Sequence, residues 1–491
     1  MFKPFISSSL VLGLALFFGR ILGFLRELIF AHKFGVSEDA DFAVIVLTLP
    51  DLLNNILISG GLSVALIPAL NKSTEDQARN LFTQATMLVG GFFLVLSFIL
   101  MTWPNILFWL VAPRLVMDNS LNNTFVLAVM LCGVALSGMT GVSTAVLNAS
   151  NRFLVAGCGT IIFNLCVIGF LGSAAFEGRN LEILSVGVFF GALLRWGSQL
   201  MALPNYYWRK SSWKWGLTHP MIKQFILGTL STSFLVLIPV AIRSTASLIG
   251  VGEIARFNYA IKLVELPAGI LITALTTVAF PSLCLMFEDG LFSKLKLTLH
   301  KYLQQFLIIS LNAVLIGWFY SDAIVRLLLG GQKIHVEDIQ IISELLRIAL
   351  LSLPLMGISS LFVVALQAQS RTRLVFLILV TCFVFLIPIF AFGLLIESRN
   401  YLMSALPIFY FIFAAICGYF LDPTYFGDNG WLKIAYIYIL SRSLVISIAL
   451  ITFTTYYFSE IQDIEKIIIG IFVYAGAVAS AYKFFIPRAA K

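Results

Sequence analysis

The sequence predicts an all-α polytopic membrane protein of about 14 transmembrane helices, arranged as two six-helix lobes plus two C-terminal helices. Three observations carry this. The 491 residues are 60% hydrophobic and 11% charged, with a mean hydropathy of +0.98, whereas soluble domains run at roughly 45–50% apolar and 25% charged. Apolar runs long enough to cross a hydrocarbon core of about 30 Å recur from residue 5 to residue 486, which leaves no large soluble domain. Two landmarks also repeat. Leu49-Pro50 to Ile67-Pro68-Ala69-Leu70 returns as Leu266-Pro267 to Phe280-Pro281-Ser282-Leu283, offset by 213 at the second proline, and Leu147 to Arg152 returns as Leu366 to Arg371, offset by 219. Recurrence at nearly one offset marks an internal repeat. An even number of spans per copy gives both copies one orientation, so a pseudo-two-fold along the membrane normal is expected. The expected boundaries are 1–215 for the N-terminal lobe, 216–428 for the C-terminal lobe and 429–491 for the additional pair.

In chain order, segment one runs from about Phe5 to Phe34 and reads as a retained helix, because no small-residue cleavage site follows a short apolar core. On a continuous helix Arg20 and Glu27 share a face and Arg26 lies about 120° away. Either the helix is irregular near Gly23 or the arginines have separate partners. Ser37, Glu38 and Asp39 read as a cap and acidic first turn for segment two. Pro50 and the Gly60-Gly61 pair then predict a bent or broken helix. Segments three to six follow at 78–102, 122–149, 153–176 and 181–206. The stretch Tyr206 to Trp215 mixes aromatics with Arg209, Lys210 and Lys214 and reads as a headgroup-level loop.

Segment seven carries Arg243. Segment eight places Lys262 and Glu265 on one face before Pro267. Glu344 and Arg347 share that spacing and are expected to pair with each other. The last two helices are expected at 432–457, with Arg442 its one charge, and at 464–486.

Positive charge sorts by side. With both termini cytoplasmic, the loops on that side hold 17 Lys and Arg (Lys72, Arg152, Lys223 and Arg371 among them) against 8 on the other, such as Lys33, Arg114 and Lys333. The net charge of +8 forms no contiguous basic domain with interleaved aromatics, so nucleic acid is not an expected partner. The six cysteines fall in apolar segments without metal-type spacing, as buried small residues do. No enzyme is expected. His32, His219, His300 and His335 are scattered, no HExxH or Ser/His/Asp pattern is present, and Asp39-Ala-Asp41 reads as a helix start rather than a metal-holding acid pair. No catalytic residue, metal site or cofactor is predicted, and without a Walker-type loop direct use of ATP is not expected.

The informative stretch is Gly19 to Leu70, where Arg20, Arg26, Glu27, Asp41 and Asp51 stand within or at the ends of apolar runs. A charge at bilayer depth costs about 2.5–3.5 kcal/mol on insertion scales, so the cluster predicts a polar cavity. Arg20, Arg26, Arg243 and Lys262 are the cations expected to bind substrate, with Glu27, Asp41 and Glu265 keeping them from being unpaired. Arginine suits a diphosphate because its planar fork bonds two oxygens at once. Internal salt bridges between helices are the competing reading.

RILGFLRELIFAHKFGVSEDADFAV, followed by LPDLLNNIL and LIPAL, resembles the N-terminal signature of the MurJ/MviN lipid II flippase family, within the multidrug/oligosaccharidyl-lipid/polysaccharide exporter superfamily. NYAIKLVELPAGILITALTTVAFPSL resembles that family's eighth helix. The resemblance implies transport of an undecaprenyl-diphosphate-linked peptidoglycan precursor from the inner to the outer leaflet of the bacterial cytoplasmic membrane by alternating access. It implies a lipid-linked glycan and membrane lipids as partners, and association with the cell-wall synthesis machinery. Arg20, Arg26, Glu27, Asp41, Lys262 and Glu265 fall where the family has cavity or gating charges. Departures stand at Gly19, where the family often has a hydroxyl residue, at Asn54-Asn55 in place of paired arginines, at Ser59 in place of an acid, and at Ile261-Lys262 in place of Asp-Arg. Another polyprenyl-linked glycan, or a drug or small-solute cargo of the same superfamily, is the alternative.

Overall fold

The computed structural model describes residues 3–117, 123–173, 178–209, 214–369 and 371–421, together with Glu465 and Gly470. The described residues form seventeen α-helices and no strand: α1 Lys3–Phe34, α2 Glu38–Ile56, α3 Ser63–Asn71, α4 Glu75–Thr102, α5 Pro104–Val111, α6 Pro113–Met117, α7 Thr124–Ala149, α8 Phe153–Gly172, α9 Asn180–Met201, α10 His219–Ser247, α11 Glu253–Glu288, α12 Phe292–Phe319, α13 Ser321–Leu329, α14 Val336–Leu350, α15 Ser352–Ala368, α16 Thr372–Leu395 and α17 Arg399–Leu421. Nine spans among the described residues are long and apolar enough to cross a membrane. Helices suit that medium because each satisfies its own backbone polar groups. The pair expected after 429 lies outside the described residues, apart from Glu465 and Gly470.

The helix starts follow local chemistry. Ser37 Oγ accepts the N–H of Ala40 at 3.1 Å and opens α2, whose first turn carries Glu38, Asp39 and Asp41. Thr74 and Gln77 form a reciprocal capping box on α4. The break expected in segment two is real. α2 continues through Pro50, then passes into a π-helical turn over Leu57–Leu62 before resuming as α3. Segment eight differs, since α11 stays helical through both Pro267 and Pro281. It has no glycine pair between its prolines.

The chain divides into two compact units, Met1–Asn258 and Tyr259–Lys491, with the boundary inside α11. In the first unit α7 packs against both α4 and α9, and α8 joins α1 to α9. α4 shows how one helix serves core and lipid: Ala85, Val89 and Phe93 are buried, while Leu88, Phe92, Val95 and Phe98 are exposed on the other side. Ser97 Oγ on α4 donates to the Leu131 carbonyl of α7 at 2.8 Å. In the second unit α17 packs against α15 and α16, and α12 against α15.

One repeat landmark takes the same local form in each unit. The Arg152 N–H donates to the Leu147 carbonyl at 2.8 Å, and the Arg371 N–H to that of Leu366 at 2.9 Å. Each side chain then donates through Nη1 to a carbonyl at the end of another helix of its own unit, Ala202 after α9 for Arg152 and Phe420 in α17 for Arg371. The equivalence is chemical as well as sequential, because both arginines satisfy carbonyls that a helix end leaves without a partner.

The expected Glu344–Arg347 pair is a correction. Arg347 Nη2 bonds Asp322 at 2.6 Å and its Nε the Ser321 hydroxyl at 2.7 Å, whereas Glu344 accepts from Asn400 at 3.1 Å. The start of α13 supplies a carboxylate and a hydroxyl together, which outcompetes a single neighbour on the same helix.

Candidate functional site

α1 runs unbroken through Gly23, so the arginines differ by environment and not by a kink. Arg20 lies on an exposed side of the helix among the apolar side chains of Phe17, Phe18 and Ile21. Arg26 is 4% exposed and Glu27 6%. Such burial is tolerated only with partners. Arg26 Nη1 donates to Asn164 Oδ1 on α8 at 3.1 Å; Nη2 donates to Glu27 Oε1 at 2.8 Å and to Asp51 Oδ2 on α2 at 3.1 Å. The guanidinium carbon lies 5.7 Å from the Phe163 ring centroid, within cation–π range. Asn164 Nδ2 in turn donates to the Gly19 carbonyl at 3.1 Å, holding α8 against α1.

The network continues through Glu27. Its Oε2 accepts from Asn258 Nδ2 at 3.3 Å, and Asn258 Oδ1 accepts from Arg243 Nη1. Arg243 also reaches Thr48 Oγ1 at 3.4 Å and the Pro239 carbonyl at 3.1 Å. That carbonyl belongs to its own helix. The structure therefore joins Arg26, Glu27 and Arg243 in one buried cluster spanning α1, α2, α8, α10 and the start of α11.

Asp41 has a different position. Its carboxylate accepts the backbone N–H groups of Gly252 at 2.7 Å and Ala255 at 2.8 Å. It thus closes the positive end of α11 from a distant helix. Gly252 allows this with φ +79°, and a Cβ there would fall 2.5 Å from Val36 Cγ1. Lys262 and Glu265 lie in the second unit and pair at 2.8 Å, both partly exposed.

Sequence reasoning passed over three partners, Asn164, Asn258 and Thr48, and one charge, Arg195 on α9, which is 6% exposed. The amides and the hydroxyl carry no charge signal in an apolar helix. Arg195 did carry one, as a lone cation in segment six. Among the described residues no group of three His, Cys, Asp or Glu could hold a metal ion.

What this arrangement can do is hold charged side chains buried in a fixed, mutually paired geometry. A probable lipid II flippase MurJ of Buchnera aphidicola subsp. Acyrthosiphon pisum is 27% identical over 85% of this chain and 80% of its own length. The solved structure of a lipid II flippase MurJ in an inward closed conformation matches with a TM-score of 0.81 at 20% identity, over 97% of this chain and 100% of that one. An inward-facing multidrug resistance MATE family transporter of the MOP superfamily matches more distantly, with a TM-score of 0.64 at 13% identity over 84% and 97% of the two chains. The family model described as lipid II flippase MurJ covers residues 30–474. The chain belongs to the lipid II flippase MurJ family.

Proposed function

We propose that this protein is a flippase that moves an undecaprenyl-diphosphate-linked peptidoglycan precursor, lipid II, from the inner to the outer leaflet of the bacterial cytoplasmic membrane. The observation that carries the proposal is the set of paired charged side chains within the helices of an apolar chain, Arg26, Glu27, Asp51 and Arg243 in the first unit and Lys262 with Glu265 in the second, in a chain of this family. Intramembrane charges of this density mark a substrate path, and the family model's description names the substrate.

The roles divide by exposure. Arg20 and Lys262, the accessible members, bind the diphosphate. Arg26 and Arg243 bind it only when their network opens and otherwise fix the helices around it, with Glu27 in the substrate path as their counter-charge. Asp41 and Glu265 are ion-pair and gating groups, Asp41 by holding the start of α11. Two six-helix lobes, 1–215 and 216–428, exchange access between leaflets, and 429–491 adds a further pair of helices. Both termini face the cytoplasm. The protein acts as a transporter and not a catalyst, alongside the cell-wall synthesis machinery.

The test is rescue of a bacterium depleted of its own lipid II flippase. The wild-type chain restores growth; Arg20→Ala and Lys262→Ala, inserted at equal levels, do not. Failure of well-inserted wild type overturns the proposed substrate.

A further inference from the structure

Two described arginines of the first unit, Arg79 and Arg195, are buried outside the network around Arg26; Arg79 pairs with Asp76 at 2.6 Å, and Arg195 has no such partner. It sits on α9, 6% exposed, and its side chain makes no hydrogen bond to any described residue. Of its three nitrogens Nε is sealed from solvent without a partner, while the two Nη atoms keep some access. The acid whose charge acts on it is Asp51. Asp51 is already committed to Arg26 through Oδ2 at 3.1 Å.

The surroundings of Arg195 are polar and closely fitted. Gln199, one turn further along α9, is fully buried and bonds Ser143 and Thr144 of α7. Gly159 of α8 lets these groups converge: a Cβ at that position would lie 2.9 Å from Gln199 Nε2 and 3.3 Å from Arg195 Nε. A buried guanidinium without a hydrogen-bonded acceptor is costly. Its fork is shaped to receive two oxygens of one anion.

We infer that Arg195 anchors an anion-binding site in the first unit that takes a phosphate-type oxyanion, supplied by a lipid headgroup or by free phosphate. The inference rests on the first unit alone and not on the transport reading. Arg195 holds the anion through its Nη atoms, and the carboxylate of Asp51, whose charge reaches Arg195, opposes it. Removing the Asp51 charge therefore strengthens binding, whereas an exchange of Asp51 from Arg26 to Arg195 would make the acid necessary.

The experiment is titration of the purified full chain in detergent with inorganic phosphate, read by calorimetry and by the shift in Tm, at constant ionic strength set with chloride. Wild type binds saturably. Arg195→Gln loses binding, Arg195→Lys weakens it, and Asp51→Asn tightens it by roughly tenfold, as expected for removal of a nearby like charge. If phosphatidylglycerol added to the micelles abolishes the phosphate response, the natural source is a lipid headgroup; if the response persists, it is free phosphate. Equal phosphate responses in wild type and Arg195→Gln, or no saturable response in wild type, overturn the site. Should Arg195→Gln fail to fold, the Lys and Asn variants decide, because loss of binding in Asp51→Asn contradicts the proposal.

Discussion

At the scale of single residues, the buried charges are worth most when their partners are counted. Arg26 serves three acceptors, so Arg26→Ala leaves Glu27 and Asp51 without their cation and is expected to cost about 3–5 kcal/mol. Thermal unfolding in detergent checks this. The double variant Arg26→Met with Glu27→Gln should recover part of the loss, because an uncompensated charge costs more than an absent pair. Asp41 predicts a smaller effect: Asp41→Ala strands two N–H groups of α11 at about 1–3 kcal/mol, and Asp41→Asn, which keeps one acceptor oxygen, costs less in the same measurement. The sequence exposed Arg26 and Glu27 directly, since a charge in an apolar run is visible without a structure. Their amide partners stand 138 and 231 positions away. No helical period relates residues so far apart. Glu344 and Arg347 show the opposite limit, where correct spacing was overridden by a better acceptor set at the start of α13.

At the scale of elements, the break between α2 and α3 was legible because its causes are local. Proline removes a helix hydrogen bond and glycine relaxes the backbone wherever they stand. That it is a π-turn was not legible, because this depends on what packs against it. Gly61 is buried, and a Cβ there would fall 2.0 Å from Thr229 Oγ1 and 2.7 Å from Phe225 of α10. Gly61→Ala should therefore displace α10 or abolish rescue, whereas Gly91→Ala on α4, where a Cβ meets nothing within 4 Å, should be silent. Equal growth of both variants in the complementation assay would remove the packing argument. α11 carries the same proline pair as segment two without breaking, so proline alone does not set the outcome.

At the scale of the whole molecule, composition decides the class, since a chain this apolar has one stable solvent, and the repeat landmarks are the basis of the proposed internal plan. The matching arginine motifs at Arg152 and Arg371 support that plan within each unit. The proposed orientation rests on the charge bias of the loops. In intact cells an impermeant maleimide should label Lys333→Cys and leave Lys72→Cys unlabelled until the membrane is opened. The reverse pattern would invert the proposed direction of transport. The most direct measurement is translocation itself, with the purified chain in liposomes holding headgroup-fluorescent lipid II and an impermeant reductant outside. The account predicts that wild type makes the inner-leaflet pool reducible while Lys262→Ala and protein-free liposomes leave about half protected. Equal protection with and without wild-type protein would contradict it.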